Sequence, residues 1–247
     1  MLAAERRNAI LNLVHEQGVV YVGDLSRRYE TSSSTIRRDL ATLSAAGDLQ
    51  RTYGGAVALE ANPQLMHKVN DTARRIGQAA ASLILPGETV FIGPGLLCRV
   101  TAQHLCGRAD LTIITNSLDV AWTLYRDSTA QLILTGGSVV RPRGAMVGQV
   151  VQQAMDRMRA DRLVIEVAGV SPLGGLTVDQ IPQADVLRSL LEPVGQVTIL
   201  VAEERLGRAG TAWLGPVTDA DVIITGRDAS AAIAWDLSES GVKVTLV

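Results

Sequence analysis

The 247-residue sequence has few aromatic residues and no long apolar run. With one Phe, three Trp and four Tyr, its cores must be built mainly from aliphatic side chains. No uninterrupted apolar segment approaches the roughly 18 residues that are needed to span a bilayer. The first ten residues carry Glu5, Arg6 and Arg7 where a signal peptide has its apolar core. We therefore expect a cytoplasmic protein that does not interact with membranes.

The sequence also has only two cysteines and three histidines. Cys98 and Cys106 fall in one predicted helix, about 12 Å apart along its axis at ~1.5 Å per residue, which is too far for a disulfide. The histidines His15, His67 and His104 are widely separated and lack the spacing of metal ligands. We expect no disulfide framework, no metal and no cofactor.

Charged residues make up only 19% of the chain and apolar residues 47%, which excludes global disorder and indicates a globular protein of one large or two ordinary domains. The formal net charge is −2. Within the first 57 residues, arginines recur in pairs at 27–28 and 37–38, followed by Arg51. Charge placed in this way can gather on one face, as a phosphate-binding surface requires.

The first part of the chain shows helical periodicity. Apolar residues at helical spacing predict helices over residues 3–16 and 22–29. A polar run follows, in which Ser32 is placed as the N-cap whose hydroxyl accepts a hydrogen bond from the N–H of residue 34 or 35. The third helix runs from there to about Ala46.

A hairpin is predicted next. Two short strands, 49–51 and 56–58, flank a turn that contains Gly54 and Gly55, and glycine tolerates the positive φ of a tight turn. Three helices followed by a hairpin in under 60 residues constitute a winged helix-turn-helix. We assign it to residues 1–58.

The third helix has two unlike faces. Ile36, Leu40 and Leu43 form one apolar stripe, which we expect to be buried. The remaining side of its first turns carries hydroxyl and guanidinium groups, on Ser33, Ser34, Thr35, Arg37 and Arg38. Such a face suits the major groove, where these groups reach base edges and phosphates. The alternative is an ordinary solvated face, but the preceding helix and turn and the following hairpin favour DNA binding.

The polar segment 59–71 is interpreted as a linker, and the sequence then changes character. From residue 72 to 247, apolar strands alternate with helices, which predicts an α/β domain with a doubly wound, mostly parallel sheet. The predicted strands are 89–92, 111–115, 130–135, 163–167, 197–201, 222–225 and 242–247. The predicted helices are 72–85, 100–105, 118–125, 150–158, 183–191 and 230–240.

The N-terminal residues resemble the DNA-binding domain of DeoR-type bacterial transcriptional regulators. The resemblance rests on the segments Val22-Gly23-Asp24-Leu25, Thr35-Ile36-Arg37-Arg38-Asp39-Leu40 and Gly54-Gly55-Ala56-Val57. It implies that DNA is contacted by Ser33, Ser34, Thr35, Arg37 and Arg38 of the helix, with Arg51 and Tyr53 near the wing.

Residues 72–247 resemble the second domain of the same family, a sugar-phosphate sensor related in fold to ribose-phosphate isomerases. Ligands of such folds lie outside the carboxyl ends of the strands, where loop and helix N–H groups attract anions. The effector-binding residues that this resemblance implies are Gly95, Thr115, Asn116, Ser117, Gly136, Gly137, Arg188 and Arg205. For the segments 115–117 and 136–137, a helix cap and a tight turn are equally good alternatives.

Several expected pocket groups are replaced. Where the family has an acid followed by hydroxyl residues, this chain reads Gly93-Pro94-Gly95-Leu96-Leu97. Ala168 stands at an expected Asp, Gln183 at an expected Glu, and the segment from Ala202 to Arg205 at an expected D-x-x-K. Because Leu96 and Leu97 would fill the phosphate position, we expect common sugar phosphates to bind weakly.

We interpret the chain as a DNA-binding transcriptional regulator, expected to be a repressor, that binds operator DNA as a homodimer or homotetramer and senses a small sugar-phosphate-like metabolite. Two alternatives remain at this point. One is an enzyme of the isomerase fold with an accessory DNA-binding domain, which fold-level kinship alone does not establish. The other is a regulator whose sensor pocket has degenerated.

Overall fold

The computed structural model describes residues 3–45, 48–58, 69–141, 143–191 and 194–247. The chain divides into two compact units, residues 1–68 and 69–247, and each is described by itself. Most of the predicted linker lies outside the described residues. In the part of the chain that is described, no helix combines the length and the apolar character needed to cross a membrane.

The first unit is the predicted winged helix-turn-helix, with one additional strand. Its elements are α1 (Ala3–Gln17), β1 (Val19–Tyr21), α2 (Val22–Arg28), α3 (Ser33–Ala45), β2 (Leu49–Thr52) and β3 (Gly55–Ala58). The strands form an antiparallel sheet in the order β1-β3-β2. Strand β1 was not predicted. It makes β3 the central strand of the wing.

Aliphatic side chains from every helix build the core of this unit. Ile10 and Val14 of α1 pack with Leu25 of α2 and with Ile36 and Leu40 of α3, and all five are buried. The apolar stripe predicted for α3 is therefore confirmed. Burial of an aliphatic side chain of this size stabilises the fold by roughly 1.5–3 kcal/mol.

Two glycines permit the connections of this unit. Gly18 has a φ of 73° and ends α1, with its N–H bonded to the carbonyl of Val14 at 2.8 Å. Gly54, with a φ of 93°, lies in the two-residue turn of the hairpin. Gly55 serves a different purpose, because a side chain there would collide with the carbonyl of Val20 in the adjacent strand.

The second unit is an α/β domain. Its helices are α4 (Asp71–Ser82), α5 (Leu96–Leu105), α6 (Leu118–Asp127), α7 (Gln149–Met155), α8 (Ile181–Leu191) and α9 (Ala231–Glu239). Its strands are β4 (Thr89–Ile92), β5 (Thr112–Thr115), β6 (Gln131–Leu134), β7 (Ser138–Val140), β8 (Ala145–Val147), β9 (Arg162–Glu166), β10 (Gly169–Ser171), β11 (Gly175–Val178), β12 (Gln196–Leu200), β13 (Ala212–Gly215), β14 (Val222–Thr225) and β15 (Lys243–Leu246).

Seven strands form one parallel sheet in the order β15-β14-β12-β9-β4-β5-β6, and each corresponds to a predicted strand. Alternate residues of its strands enter two separate cores. Val90 and Ile92 pack beneath α4 and α5, whereas Phe91 packs with Leu163 and Leu187 on the other face. Burial on both faces explains why these strands read as continuous apolar runs.

Two small antiparallel elements accompany the main sheet and were not predicted. One is the hairpin β7-β8, and the other is the three-stranded sheet β10-β11-β13. Both follow carboxyl ends of the parallel strands, because β7 comes after β6 and β10 after β9. They therefore add backbone to the edge of the sheet where a ligand is expected.

The strand order reverses at β4. From β4 the chain proceeds outward through β5 and β6, and the later strands β9, β12, β14 and β15 are added on the other side. The segments that follow β4 and β9 consequently lead away in opposite directions. In open α/β sheets such a switch point forms the crevice where ligands bind, and we refer to this place between β4 and β9 as the crevice.

Candidate DNA-binding surface and effector crevice

The first turn of α3 is capped as predicted. The hydroxyl of Ser32 accepts a hydrogen bond from the N–H of Thr35 at 3.2 Å and lies 2.8 Å from the hydroxyl oxygens of both Ser34 and Thr35. Ser33 bonds to the hydroxyl of Ser26 in α2 at 3.2 Å. The hydroxyl groups at this end of α3 are thus ordered by one another and remain near the surface.

The structure places the predicted DNA-contacting residues on exposed positions. In α3, Ser33, Ser34, Arg37 and Arg38 are exposed, and Thr35 is half-buried. In the wing, Arg51 lies on β2 and is exposed, and Tyr53 at the turn is fully exposed. The two sets lie within one compact unit, on the helix and on the hairpin that follows it.

A buried ion pair that we did not predict fixes α3 against α1. Nε of Arg6 donates to Oδ2 of Asp39 at 2.7 Å, and the two side chains are 12% and 9% exposed. Asp39 lies on the inner side of α3, between Arg38 and Leu40. Because Arg6 neutralises the buried charge of Asp39, the exposed charges of α3 are those of Arg37 and Arg38. The signal in the sequence was an acidic residue within the apolar stripe.

The second candidate site lies at the switch point, where a carboxylate occupies the start of α5. Glu166 ends β9, and its Oε2 accepts a hydrogen bond from the N–H of Leu97 in the first turn of α5 at 2.6 Å. The N–H of Cys98 also stabilises the ionised form. Burial nevertheless raises the pKa of Glu166 above its usual value.

Gly95 permits this close approach. It is the N-cap of α5 and has a φ of 134°, a conformation that side chains rarely adopt. A β-carbon at this position would also collide with the carboxylate of Glu166. Predicted as an effector residue, Gly95 therefore lies directly beside an acidic side chain of the protein itself.

Arg143 connects this carboxylate with a second one. Its Nη1 lies 3.9 Å from Oε1 of Glu166, and its Nη2 donates to Oδ2 of Asp179 at 3.1 Å. Arg143 comes from the connection between β7 and β8, and Asp179 directly follows β11. Three segments that are distant in sequence thus meet at the crevice, and all three charged residues were missed.

The segment 115–117 begins at the last residue of β5, the neighbour of β4, and is fully buried. The hydroxyl of Thr115 donates to the carbonyl of Ile92 at 2.6 Å, and that of Ser117 caps α6 by accepting from the N–H of Val120 at 3.3 Å. The helix-cap interpretation therefore holds for Ser117. Asn116 differs, because its Nδ2 donates to the carbonyl of Met146 at 2.9 Å while its buried Oδ1 has no hydrogen-bond partner among the described residues.

The remaining predicted effector residues have varied surroundings. Gly136 and Gly137 adopt positive φ in the turn between β6 and β7. Arg188 is held by the carbonyls of Trp213 and Leu214 and by Asp185, so its guanidinium binds β13 and its own helix. Arg205 lies in a 3₁₀ turn after β12 and is exposed.

One expectation about the crevice is wrong. Leu97 does not fill the phosphate position, because its side chain is 4% exposed and packs in the core beneath α4 and α5. Its N–H donates to Oε2 of Glu166 at 2.6 Å. Leu96 is half-buried. Helix α5 begins at Leu96, four residues before the predicted start, so Leu96 and Leu97 lie in its first turn.

Comparison with known proteins identifies both domains. The chain matches the DeoR-like helix-turn-helix domain over residues 6–62 and the DeoR C-terminal sensor domain over residues 69–227. It is 31% identical to the HTH-type transcriptional regulator YgbI of Escherichia coli K12, over 91% of this chain and 90% of that protein. It is 27% identical to the glycerol-3-phosphate regulon repressor of the same organism, over the full length of both.

Solved structures give a weaker, partial similarity. Ribose 5-phosphate isomerase A from Methanocaldococcus jannaschii matches 56% of this chain and 55% of its own, with a TM-score of 0.41 and 13% identity. The family assignment rests instead on the two domain matches and on the curated relatives. This chain belongs to the DeoR family of DNA-binding transcriptional regulators.

Proposed function

We propose that this chain represses transcription by binding operator DNA through α3 and the β2-β3 wing, and that a small molecule in the crevice between β4 and β9 controls this binding. The exposed polar face of α3, held in place by the buried Arg6–Asp39 pair, is the observation that carries the proposal. Relatives named as repressors, including the glycerol-3-phosphate regulon repressor, support the sign of regulation.

Within this proposal, the first turns of α3 enter the major groove. Ser33, Ser34 and Thr35 reach base edges or phosphates with hydroxyl groups, and Arg37 and Arg38 provide the charge. Arg51 and Tyr53 contact the adjacent backbone from the wing. A single helix of this kind reads only a few base pairs, so specificity requires two half-sites and at least a dimer.

The second unit is proposed to form the homodimer or homotetramer. Helix α6 exposes Trp122 and Tyr125, and the edge strand β6 exposes Leu134, so large apolar side chains are concentrated at this end of the sheet. Burial of such a surface between copies is a normal basis of oligomer formation. Light scattering at micromolar concentration tests it, and a monomer both with and without DNA would contradict it.

Binding rather than catalysis is the proposed activity, and it takes place in the cytoplasm. The positions at which an isomerase-type acid and lysine would be expected carry Ala168, Ala202 and Arg205. Neither alanine has a titratable group, and Ala168 is buried with its N–H bonded to the carbonyl of Thr177 at 2.8 Å. These residues can line a pocket but offer no general acid or base.

The proposal is tested with operator DNA selected by the purified chain from a random-sequence library. Arg37→Ala and Arg38→Ala are then compared with wild type by gel shift at several salt concentrations. Loss of a base contact should cost ~1–3 kcal/mol and relax one position, whereas loss of a phosphate contact should reduce the salt slope by about 1.

Arg227→Ala is the matched control, because this exposed arginine lies in the second unit. It should bind the selected DNA as wild type does. Selection of no sequence above the non-specific background, or equal affinity of all three variants, would contradict the proposed mode of DNA binding.

A further inference from the structure

The N-terminus of α5 has the properties of an anion site. The first N–H groups of a helix have no partner within the helix, and the helix dipole favours negative charge at that end. Here it follows β4 at the switch point of the sheet, where a ligand of the sensor domain is expected. However, the anion bound at this helix start is the carboxylate of Glu166 from the same chain.

The contact is too close for a second anion. Oε2 of Glu166 lies 2.6 Å from the nitrogen of Leu97, and the space between Gly95 and the carboxylate does not accommodate even a methyl group. A phosphate could reach these N–H groups only by displacing Glu166. The displaced carboxylate would lose its hydrogen bond and remain next to the incoming negative charge.

Two carboxylates in the crevice share one guanidinium and the start of α5. Glu166 is compensated by the start of α5 and by Arg143, and Asp179 is compensated by the other nitrogen of the same guanidinium. Arg143 is thus shared between two carboxylates. Adding a phosphate would increase the negative charge beside Glu166, whose side chain is only 15% exposed, which is unfavourable.

One buried acceptor near this end of the sheet has no donor among the described residues. Asn116 is fully buried, and its Oδ1 has no hydrogen-bond partner among the described residues. The orientation of the amide is fixed, because the carbonyl of Met146 accepts from Nδ2. Since Thr115 is paired with Ile92, Asn116 comes next to Gly93 at the same end of the sheet. A phosphate oxygen cannot satisfy an acceptor, whereas a hydroxyl group can.

We propose that Glu166 determines the specificity of the sensor domain, by excluding phosphate from the start of α5 so that the crevice takes an uncharged, hydroxyl-rich ligand whose hydroxyl donates to Asn116. This inference rests on the proposed function only in assuming that the crevice binds an effector. It assigns the effector to a chemical class that differs from a sugar phosphate.

The first experiment uses the full chain without DNA and inorganic phosphate as the probe. Binding is measured by calorimetry and by thermal unfolding, against chloride at equal ionic strength. Wild type should show no saturable phosphate binding, and Glu166→Ala should bind phosphate at least about tenfold more tightly, because the N–H groups of α5 become available. Asp179→Ala is the matched control, since it removes the other carboxylate bound to Arg143 but leaves the start of α5 occupied.

A gain in Asp179→Ala equal to that in Glu166→Ala would overturn the proposal, because general charge would then explain the effect. No gain in Glu166→Ala would also overturn it. Saturable phosphate binding by wild type at low millimolar concentration does so whatever the variants do, including the case in which Glu166→Ala fails to fold.

The second experiment compares matched ligand pairs by thermal unfolding: glycerol with glycerol 3-phosphate, sorbitol with sorbitol 6-phosphate, and glucose with glucose 6-phosphate. The phosphorylated member should stabilise wild type no more than its partner does, and this preference should reverse in Glu166→Ala. A phosphorylated member that stabilises wild type more strongly refutes the proposal. Neither experiment involves DNA, so a failure of operator binding would be recognised separately.

Discussion

The starts of α3 and α5 both present backbone N–H groups, but the side chains around these groups differ. At α3, Ser32 caps the helix, the hydroxyls of Ser33 and Ser34 are exposed, and two arginines follow on the outer face. At α5, Gly95 provides no capping side chain and Glu166 covers the N–H groups from another strand. The hydroxyl groups at the start of α3 are exposed, whereas the start of α5 already holds a carboxylate. The two helix starts thus differ in the side chain that binds their backbone N–H groups.

The largest effect is expected from disrupting the buried Arg6–Asp39 pair, which holds α3 against α1. Arg6→Ala leaves Asp39 buried without its partner, which should destabilise the first unit by about 3 kcal/mol or more. Chemical denaturation followed by circular dichroism measures the loss. Tryptophan fluorescence serves as an internal reference, because all three tryptophans lie in the second unit.

Arg7→Ala is the control for this prediction. Arg7 is the neighbouring residue, and within the described part of the chain its Nε donates to the carbonyl of Ala3 in its own helix at 3.3 Å. The change should have little effect on stability. If both variants lose the same amount, the pair with Asp39 does not fix α3.

At the start of α5, Gly95→Ala tests the close contact between Gly95 and Glu166. The positive φ alone should cost about 1–3 kcal/mol, and the collision with Glu166 adds to it. In a Glu166→Ala background the collision with the carboxylate is removed and only the contact with the β-carbon of residue 166, 2.9 Å away, remains beside the cost of φ, so the two substitutions should be less than additive. Gly87→Ala, with a φ of 79° and open space around it, reports the conformational cost by itself. Strict additivity in urea denaturation would argue against the contact.

The smallest expected effect concerns pH. Burial raises the pKa of Glu166 above its usual 4.5, although the N–H of Leu97 and Arg143 oppose the shift. The folded chain therefore takes up this proton at a higher pH than the unfolded chain does. As the pH falls from the folded-state pKa towards 4.5, the free energy of unfolding of wild type should rise relative to Glu166→Gln. Denaturation of both proteins across that range measures the difference, and a fall would show that Glu166 is stabilised as an anion.

The sequence predicted the parallel sheet and the winged helix because their signals are local. Buried strands such as 163–167 read as apolar runs, and α3 shows one apolar stripe followed by a glycine-containing hairpin. The short antiparallel strands were missed for the opposite reason. Segments such as Gly169–Ser171 and Gly175–Val178 are three or four residues long, lie among glycines, and pair only because the tertiary fold brings them together.

For the crevice, the sequence predicted which loops form it but not which charged side chains lie in it. The loops after β4 and β5 follow from the strand pattern, and the structure places Gly95 and Asn116 there. Glu166, Arg143 and Asp179 come from three further segments, and no local rule joins them. One signal was available, a single acidic residue at 166 within an otherwise apolar strand, since a buried carboxylate requires a partner.

The pairing of β4 with β9 also sets the order in which the two units fold during synthesis. Every pairing of the wing sheet joins residues within the first 58, so the DNA-binding fold can form as soon as that stretch leaves the ribosome. The central strand β4 finds its neighbour β9 only after residue 162 has been made, on the order of seconds later at ordinary rates of synthesis. During that interval the first unit can be folded while the parallel sheet of the second unit is still incomplete.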